Sequence, residues 1–338
     1  MKSLIQKLVE TPSPSGYEAQ IRNLIRSEVE PLADEVRVDN LGNLIARKGQ
    51  RGSQGSKIML AAHMDEIGVI ATHIDENGFV RFLNIGGVSP RTCPGGRVRF
   101  LNGAGGVIGV ERLDDANKAP TFEQLFIDLG VDSRADCPVQ VGDLAVFERP
   151  FADQGKRLVS KAMDDRIGVA VLIETLRQMN EAGEAGLHEV YFVFSTQEEV
   201  GLRGATTAAF GIEPDLGLAV DVTRTGDTPK DARMEVALGK GPAIKVRDQG
   251  MLSDPRVVSW MVQAAEKNGL PYQLEVLERG GTDARAIQLS RAGAPAGCLS
   301  IPCRYIHSPS EMVDYDDVQG AVRLLSELLR HPVQLGNL

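Results

Sequence analysis

Histidine, aspartate and glutamate recur next to short apolar runs in this 338-residue sequence. The side chains with this placement are His63, Asp65, Asp164, Asp165, Glu198, Glu199, Asp221 and His307. Two histidines with three or four carboxylates suit a pair of divalent ions about 3.5–4 Å apart. Imidazole combined with carboxylate favours zinc, cobalt or manganese over calcium. The residue types therefore predict a two-metal centre in which one aspartate bridges the ions.

The elements that must position these side chains are predicted strands that end at one edge of a sheet. Apolar runs typical of buried strands end just before His63, lead to Glu198, end on Asp221 and precede His307. The aspartate pair begins a predicted helix over 166–179. Ligands of α/β proteins bind at the carboxyl ends of the strands. We therefore expect five separate segments to converge on one site.

Each of these residues also has a simpler interpretation when it is considered alone. Asp164 and Asp165 could cap the helix that follows them, and Glu198 and Glu199 could be a turn pair. The joint occurrence of all five segments at strand ends, in otherwise apolar surroundings, favours the metal centre.

The chain divides into stretches of different hydrophobic pattern. Residues 1–67 and 158–338 alternate helical periodicity with buried-strand runs, which predicts a layered α/β domain with a mixed, partly parallel sheet. Residues 68–157 carry short strand-like runs between glycines and prolines, which predicts a small inserted all-β barrel or sandwich. A helix-like stretch around 121–129 interrupts these strands. The insert contains no candidate ligand and is expected to add nothing to the metal site.

Two helix boundaries are predicted from local signals. Ser15 is a candidate N-cap for a helix over 17–30, with Glu18 completing a capping box. A closing amphipathic helix is predicted over 313–330.

Composition restricts the partners and the compartment. The formal net charge is −9, which disfavours binding to nucleic acid. No segment approaches the roughly 18 uninterrupted apolar residues of a membrane helix, and the N-terminus lacks a signal-peptide run. The cysteines, which include no CxxC pair and are expected to be reduced thiols, are Cys93, Cys137, Cys298 and Cys303. A cytoplasmic protein without nucleic-acid or membrane partners is predicted.

Six short motifs surround the candidate residues and span nearly the whole chain. They are Ala62-His63-Met64-Asp65-Glu66, Lys161-Ala162-Met163-Asp164-Asp165-Arg166, Thr196-Gln197-Glu198-Glu199-Val200-Gly201, Asp221-Val222-Thr223, Gly280-Gly281-Thr282-Asp283-Ala284 and Pro302-Cys303-Arg304-Tyr305-Ile306-His307-Ser308. In this order the motifs resemble those of the tetrahedral, self-compartmentalising aminopeptidases, family forty-two of the metallopeptidases. Those enzymes have an α/β zinc-exopeptidase-like fold, so the resemblance implies that 1–67 and 158–338 form the catalytic domain.

The resemblance also implies a ligand set and a cofactor. Two divalent ions per subunit, zinc or cobalt, are implied. Asp164 is the implied bridging ligand, with His63 and Asp221 completing one ion and Glu199 and His307 completing the other.

The implied activity is the hydrolysis of N-terminal residues from peptides. Glu198 is the implied general base that takes a proton from the attacking water. Asp65 would orient the His63 imidazole as a second-layer partner. The inserted module at 68–157 would be a dimerisation domain, and the chain would form a homo-oligomer, a dodecamer built from dimers. A stable dimer is the alternative.

The substrate pocket and the competing functions are less constrained. Thr282 and Asp283 could shape the pocket, or Asp283 could cap the next helix. An N-acyl amino acid deacylase, or another amidohydrolase on the same scaffold, is the main alternative. A glucanase fits poorly because glycosidases normally use a metal-free carboxylate pair. Glu198 disfavours a non-enzymatic metal protein, because a structural site needs no base beside its ligands.

Overall fold

The structure is a computed structural model, and it describes residues 1–113, 115, 117–183, 187–231 and 233–335. The helices are α1 (Lys2–Glu10), α2 (Ala19–Val29), α3 (Met163–Ala182), α4 (Arg203–Ile212), α5 (Pro255–Lys267), α6 (Asp283–Gln288) and α7 (Tyr315–Arg330). The first nine strands are β1 (Glu35–Val38), β2 (Leu44–Lys48), β3 (Lys57–His63), β4 (Gly68–Ile74), β5 (Val80–Ile85), β6 (Arg97–Phe100), β7 (Gly105–Val110), β8 (Leu125–Asp128) and β9 (Leu144–Phe147). The remaining strands are β10 (Ala152–Gln154), β11 (Arg157–Ser160), β12 (Glu189–Ser195), β13 (Leu216–Arg224), β14 (Ala243–Arg247), β15 (Gln273–Val276), β16 (Ala296–Arg304) and β17 (Glu311–Asp314).

A mixed, partly parallel sheet forms the centre of the molecule, as predicted. Its strand order is β1-β2-β12-β3-β13-β16-β17-β11-β10, and β14 pairs with both β15 and β16. The neighbours β12, β3, β13 and β16 run parallel to one another. These four strands are apolar along most of their length because helices cover both faces of the sheet.

Alternation along the central strands decides which side chains reach the site. Ile58 and Leu60 of β3 pack into the core that contains α1, α2, α3, α5 and α7, whereas Met59 and Ala61 pack against α4 and α6. Because successive strand residues face opposite sides, His63 shares the face of Met59 and Ala61. The same alternation places Asp221 on the face of Ala219 in β13.

The second unit is a closed antiparallel barrel with the strand order β4-β5-β8-β7-β6-β9. It encloses its own apolar core, which includes Val69, Phe82 and Phe147. Strand β10 lies within the stretch 68–157 but pairs with β11 in the large sheet.

Two local predictions are wrong. Helix α2 begins at Ala19 with Glu18 at its N-cap and no side-chain cap. Ser15 does not cap it because its hydroxyl donates to the buried carboxylate of Asp65 at 2.6 Å. The helix-like stretch 121–129 is a single 3₁₀ turn followed by β8, whose alternate residues are buried in the barrel.

No helix within the described residues combines the length and the hydropathy that crossing a bilayer requires.

Candidate metal centre

The predicted ligands line one cavity of about 1240 Å³. The strands β3 and β13, the start of α3 and the segments after β12 and β16 deliver these side chains to it. The lining includes all five predicted ligands and the predicted base: His63, Asp164, Glu198, Glu199, Asp221 and His307. The structure therefore brings together residues that are up to 244 positions apart in the sequence.

Asp164 occupies the middle of the cluster. Its Oδ1 lies 2.9 Å from His63 Nε2, and its Oδ2 lies 3.3 Å from His307 Nε2. The same His307 nitrogen lies 3.2 Å from Glu199 Oε2. Each carboxylate oxygen of Asp164 thus faces a different imidazole, which is the arrangement that a ligand between two cations needs.

Among the described residues, two groups of potential ligand atoms are compact enough to surround a cation. One comprises His63, Asp164 and Glu199, and the other comprises His63, Asp165 and Asp221, with all atoms of each group within 4.8 Å of one another. Asp165 is not among the predicted ligands. Its oxygens accept hydrogen bonds from the backbone N–H groups of His63 and Gly168, at 3.2 and 3.0 Å. Asp165 therefore fixes the end of β3 against α3.

The predicted base and the predicted orienting residue flank His63. Glu198 Oε2 lies 3.9 Å from His63 Nε2, and Asp65 Oδ1 lies 3.5 Å from His63 Nδ1. Asp65 also accepts hydrogen bonds from the backbone N–H groups of Glu198 and Glu199. It therefore contacts both the imidazole and the segment that bears the two glutamates.

The carboxylates of the cluster outnumber the two imidazoles that face them. Burial, reinforced by the charge of Asp164, raises the pKa of Asp221 well above its usual range. Burial also raises the pKa of Glu198 well above its usual range, against an opposing effect of His63. Bound divalent cations would supply the charge that keeps such carboxylates ionised.

The pKa of His307 and the hydrogen bonding of Glu199 agree with a site that binds cations. Although burial opposes it, hydrogen bonds with Asp164 and Glu199 raise the pKa of His307 to about 12. Glu199 Oε1 is buried and has no hydrogen-bond partner within the described part of the chain. A histidine ligand must be neutral, so a bound cation would replace the proton of His307 among these carboxylates, and the unpartnered Glu199 oxygen fits the same occupant.

Glu311 is a functional residue that the sequence did not predict. Its Oε2 accepts a hydrogen bond from the backbone N–H of Asp164 at 2.9 Å, and its Oε1 accepts one from His307 N at 2.8 Å. Glu311 therefore holds together the two segments that bear the predicted ligands Asp164 and His307. The sequence hints at Glu311 only through its position four residues after His307. It belongs to β17, a strand that the sequence analysis did not predict.

The barrel also reaches the site, so the expectation that the insert adds nothing to it is wrong. The loop after β5 lies against the cluster, and Gly87 lines the cavity. A Cβ atom on Gly87 would lie 2.2 Å from His307 Nδ1, and one on Gly86 would lie 2.9 Å from Glu199 Oε2. Only residues without a side chain fit between the barrel and these two ligands.

We expect Gly87→Ala to weaken metal binding by about 10- to 100-fold, the range seen when the support of a ligand is disturbed. The added methyl group would displace the His307 ring. Metal content after dialysis at graded free-metal concentrations measures the effect. Gly211→Ala on α4, where a Cβ meets open space, is the matched control. Wild-type metal affinity in Gly87→Ala would contradict the packing described here.

The two predicted substrate-binding residues differ in their placement. Thr282 lines the cavity, and its buried Oγ1 has no hydrogen-bond partner among the described residues. Asp283 is buried, accepts a hydrogen bond from Ser195 Oγ, and has its pKa raised to about 6 by burial. Thr282, not Asp283, occupies the N-cap of α6, so the capping alternative for Asp283 is wrong.

Comparison with known proteins decides the family. A family model described as M42 glutamyl aminopeptidase matches residues 42–324. The chain belongs to the M42 peptidase family. The predicted family, fold class and enzyme class, a peptide hydrolase of the aminopeptidase type, are thereby confirmed. M42 membership also implies the use of divalent metal ions.

Individual M42 relatives match the chain over almost its whole length. A putative aminopeptidase of Acetivibrio thermocellus is 46% identical, over 97% of this chain and 98% of that protein. The structure of an aminopeptidase from Desulfurococcus kamchatkensis is 42% identical, with a TM-score of 0.92 over 98% of this chain and 94% of that chain. The TET1 peptidase of Pyrococcus horikoshii, which can assemble into a tetrahedron or a large octahedral shell, is 33% identical. Its TM-score is 0.88 over 97% of this chain and 98% of that chain.

Proposed function

We propose that this chain is an aminopeptidase that removes N-terminal residues from peptides at a dinuclear metal site. The observation that carries the proposal is the position of Asp164, whose two oxygens face the imidazoles of His63 and His307. The proposed ligands of the two ions, zinc or cobalt, are His63, Asp164, Glu199, Asp221 and His307.

The chemistry divides between the ions and the protein. When bound, the ions would polarise the scissile carbonyl and acidify the attacking water. Glu198 would accept the proton of that water and return it to the leaving amine. Its place in the cavity lining, with Oε2 3.9 Å from His63 Nε2, supports this role. Glu199 has a different role because its Oε2 already contacts His307.

Thr282 and Asp283 are proposed to shape the substrate pocket. The unpartnered hydroxyl of Thr282 would donate to or accept from the backbone of a bound peptide. Asp283 would support this wall from behind through its hydrogen bond with Ser195.

A panel of substrates tests the proposed function against its alternatives. Metal-loaded protein should hydrolyse amino-acid anilides that have a free α-amino group. It should leave N-acetylated amino acids and carboxymethylcellulose intact. Preferential cleavage of the acylated amino acids would favour a deacylase instead, and inactivity towards every compound after metal loading would exclude both enzymes.

We also propose that the chain assembles into a homo-oligomer, a hollow dodecamer built from dimers that admits only short or unfolded peptides. Two observations support it: the assembly of the TET1 relative, and exposed apolar side chains on the barrel, where Leu83, Val107 and Val141 are 54%, 46% and 59% accessible. Light scattering of metal-loaded protein should give a mass near twelve times the 36.5 kDa chain. A mass of two chains would support only the dimer. A mass of one chain that does not change when metal is added would overturn the proposal.

A cytoplasmic location is proposed from the thiols. All four cysteines are unpaired in the structure, which suits a reducing compartment.

A further inference from the structure

The segment that bears the proposed base is held by its backbone N–H groups. Residues 196–199 follow β12 and are called here the glutamate loop. Four consecutive amides of this loop donate to side-chain oxygens from other segments. Thr196 N donates to Asn43 Oδ1 at 2.9 Å, and Gln197 N donates to Glu18 Oε1 at 3.2 Å. The N–H groups of residues 198 and 199 donate to the two oxygens of Asp65, at 3.0 and 3.2 Å.

The glutamate loop needs such support because its backbone is strained. Gln197 adopts a φ of +56°, in the left-handed region that non-glycine residues rarely enter. This conformation persists only when the surrounding structure determines it. The amides on both sides of the Gln197 Cα are fixed by acceptors on different segments, so the loop cannot relax by a rotation of one peptide unit without losing a hydrogen bond.

The acceptors are themselves fixed. Asn43 is fully buried, and its Nδ2 donates to Asp39 Oδ2 at 2.6 Å and to Gly204 O at 2.9 Å. Glu18 is 4% exposed, and the same Oε1 that serves Gln197 also accepts from Gly16 N at 2.7 Å. A Cβ on Gly204 would lie 2.2 Å from Asn43 Oδ1, which shows how closely the neighbouring chain confines this oxygen.

We propose that Glu18 and Asn43 are positioning residues for Glu198. Neither side chain is among the described residues that line the cavity, and the hydrogen bonds that the two side chains make there go to other groups than the proposed ligand side chains. They act through the backbone of the glutamate loop, so that the carboxylate of Glu198 is held in the cavity lining before substrate binds. The segment 11–18 and the turn between β1 and β2 thereby become part of the catalytic apparatus. This role depends on the proposed function of Glu198 as the base.

The test varies the acceptor oxygen of the side chain at position 18 in the full-length, metal-loaded protein. Glu18→Ala removes the acceptor and is expected to lower kcat by about 10- to 100-fold, the cost of a small misplacement of a reacting group. KM should stay within about twofold because the cavity wall does not change, and kcat is compared at saturating metal because the glutamate loop also bears the proposed ligand Glu199. Glu18→Gln should restore most of kcat, because a single oxygen serves both amides.

Two further variants keep the proposal falsifiable. Glu18→Asp retracts the oxygen by one methylene group without emptying the site, so its kcat should lie between those of Glu18→Ala and the wild type. Glu28→Ala is the control on α2, since it breaks an ion pair with Arg177 remote from the cavity. Wild-type kcat in Glu18→Ala or Glu18→Asp, or an equal loss in Glu28→Ala, would overturn the proposal.

Hydrogen exchange separates this proposal from the proposed function. In Glu18→Ala, the amides of 196–199 should exchange faster than in the wild type, whereas those of β12 should be unchanged. This measurement needs no substrate, so it remains decisive even if the wild-type protein fails to cleave any anilide. Unchanged exchange in the glutamate loop would refute the positioning role on structural grounds alone.

Discussion

Replacement of Glu198 by glutamine is expected to lower kcat by about 10²- to 10⁴-fold while the bound metal stays in place. Glutamine keeps the size and the hydrogen-bonding reach of the side chain, but it cannot accept the proton of the attacking water. Metal analysis and turnover, measured on the same preparation, test both halves of the expectation.

Substitution of the neighbouring Glu199 tests the complementary role, that of a metal ligand. Glu199→Gln should lose metal, because Glu199 Oε2 contacts His307 and its other oxygen is buried without a partner. Glu213→Gln, which removes an exposed ion pair with Arg291, is the neutral control. Full turnover in Glu198→Gln, or loss of its metal, would disprove the assignment of the base.

Replacement of Asp164 by asparagine is expected to abolish dinuclear binding and to reduce activity by more than about 10³-fold, the cost of losing several kcal/mol of charge stabilisation. Asparagine has one acceptor oxygen, whereas the two oxygens of Asp164 face His63 and His307 separately. Its amide would place N–H donors toward one of the two positions. Metal content per chain should fall below that of the wild type at every free-metal concentration.

Asp153→Asn is a suitable comparison for Asp164→Asn. Asp153 is exposed and paired with Lys2, outside the cavity. A variant at 164 that retained wild-type metal content and turnover would show that Asp164 does not lie between the ions.

The convergence of the ligands could be predicted because it depends on local pattern and one rule of sheet geometry. The apolar runs before His63 and through Asp221 are buried on both faces, so they stand out in the sequence as strands. Parallel neighbours share an edge at their carboxyl ends, and this places the residues that follow them together. The helix after the aspartate pair could be predicted for the same local reason, its unbroken apolar periodicity.

The missed features depend on contacts between distant segments. Strands β14 and β15 are short. The buried part of β14 includes the charged Lys245, and Leu274 and Val276 of β15 are exposed, so neither sequence has an apolar run that indicates a strand. Residues 313 and 314 of β17 fall inside the predicted closing helix, whereas the observed helix begins only at Tyr315, and the burial of Glu311 follows from the pairing of β17 with β11 and β16. Asp65 shows the same limit of sequence-based prediction at a single residue. Its place beside His63 follows from a spacing of two, but its hydrogen bonds to the glutamate loop follow only from the fold.

The contact of Gly86 and Gly87 with Glu199 and His307 means that the barrel is not a detachable module. A chain cut back by removal of 68–157 would expose these two proposed ligands to water and lose the wall that confines them. Such a truncation would therefore report on metal retention as well as on assembly, and single substitutions on the barrel surface are the cleaner way to probe subunit contacts. The same contact limits the exchange of barrels between related proteins. A barrel taken from a relative must carry two residues without side chains at positions 86 and 87. The sequences of the barrel and of the α/β domain therefore cannot vary independently at this contact.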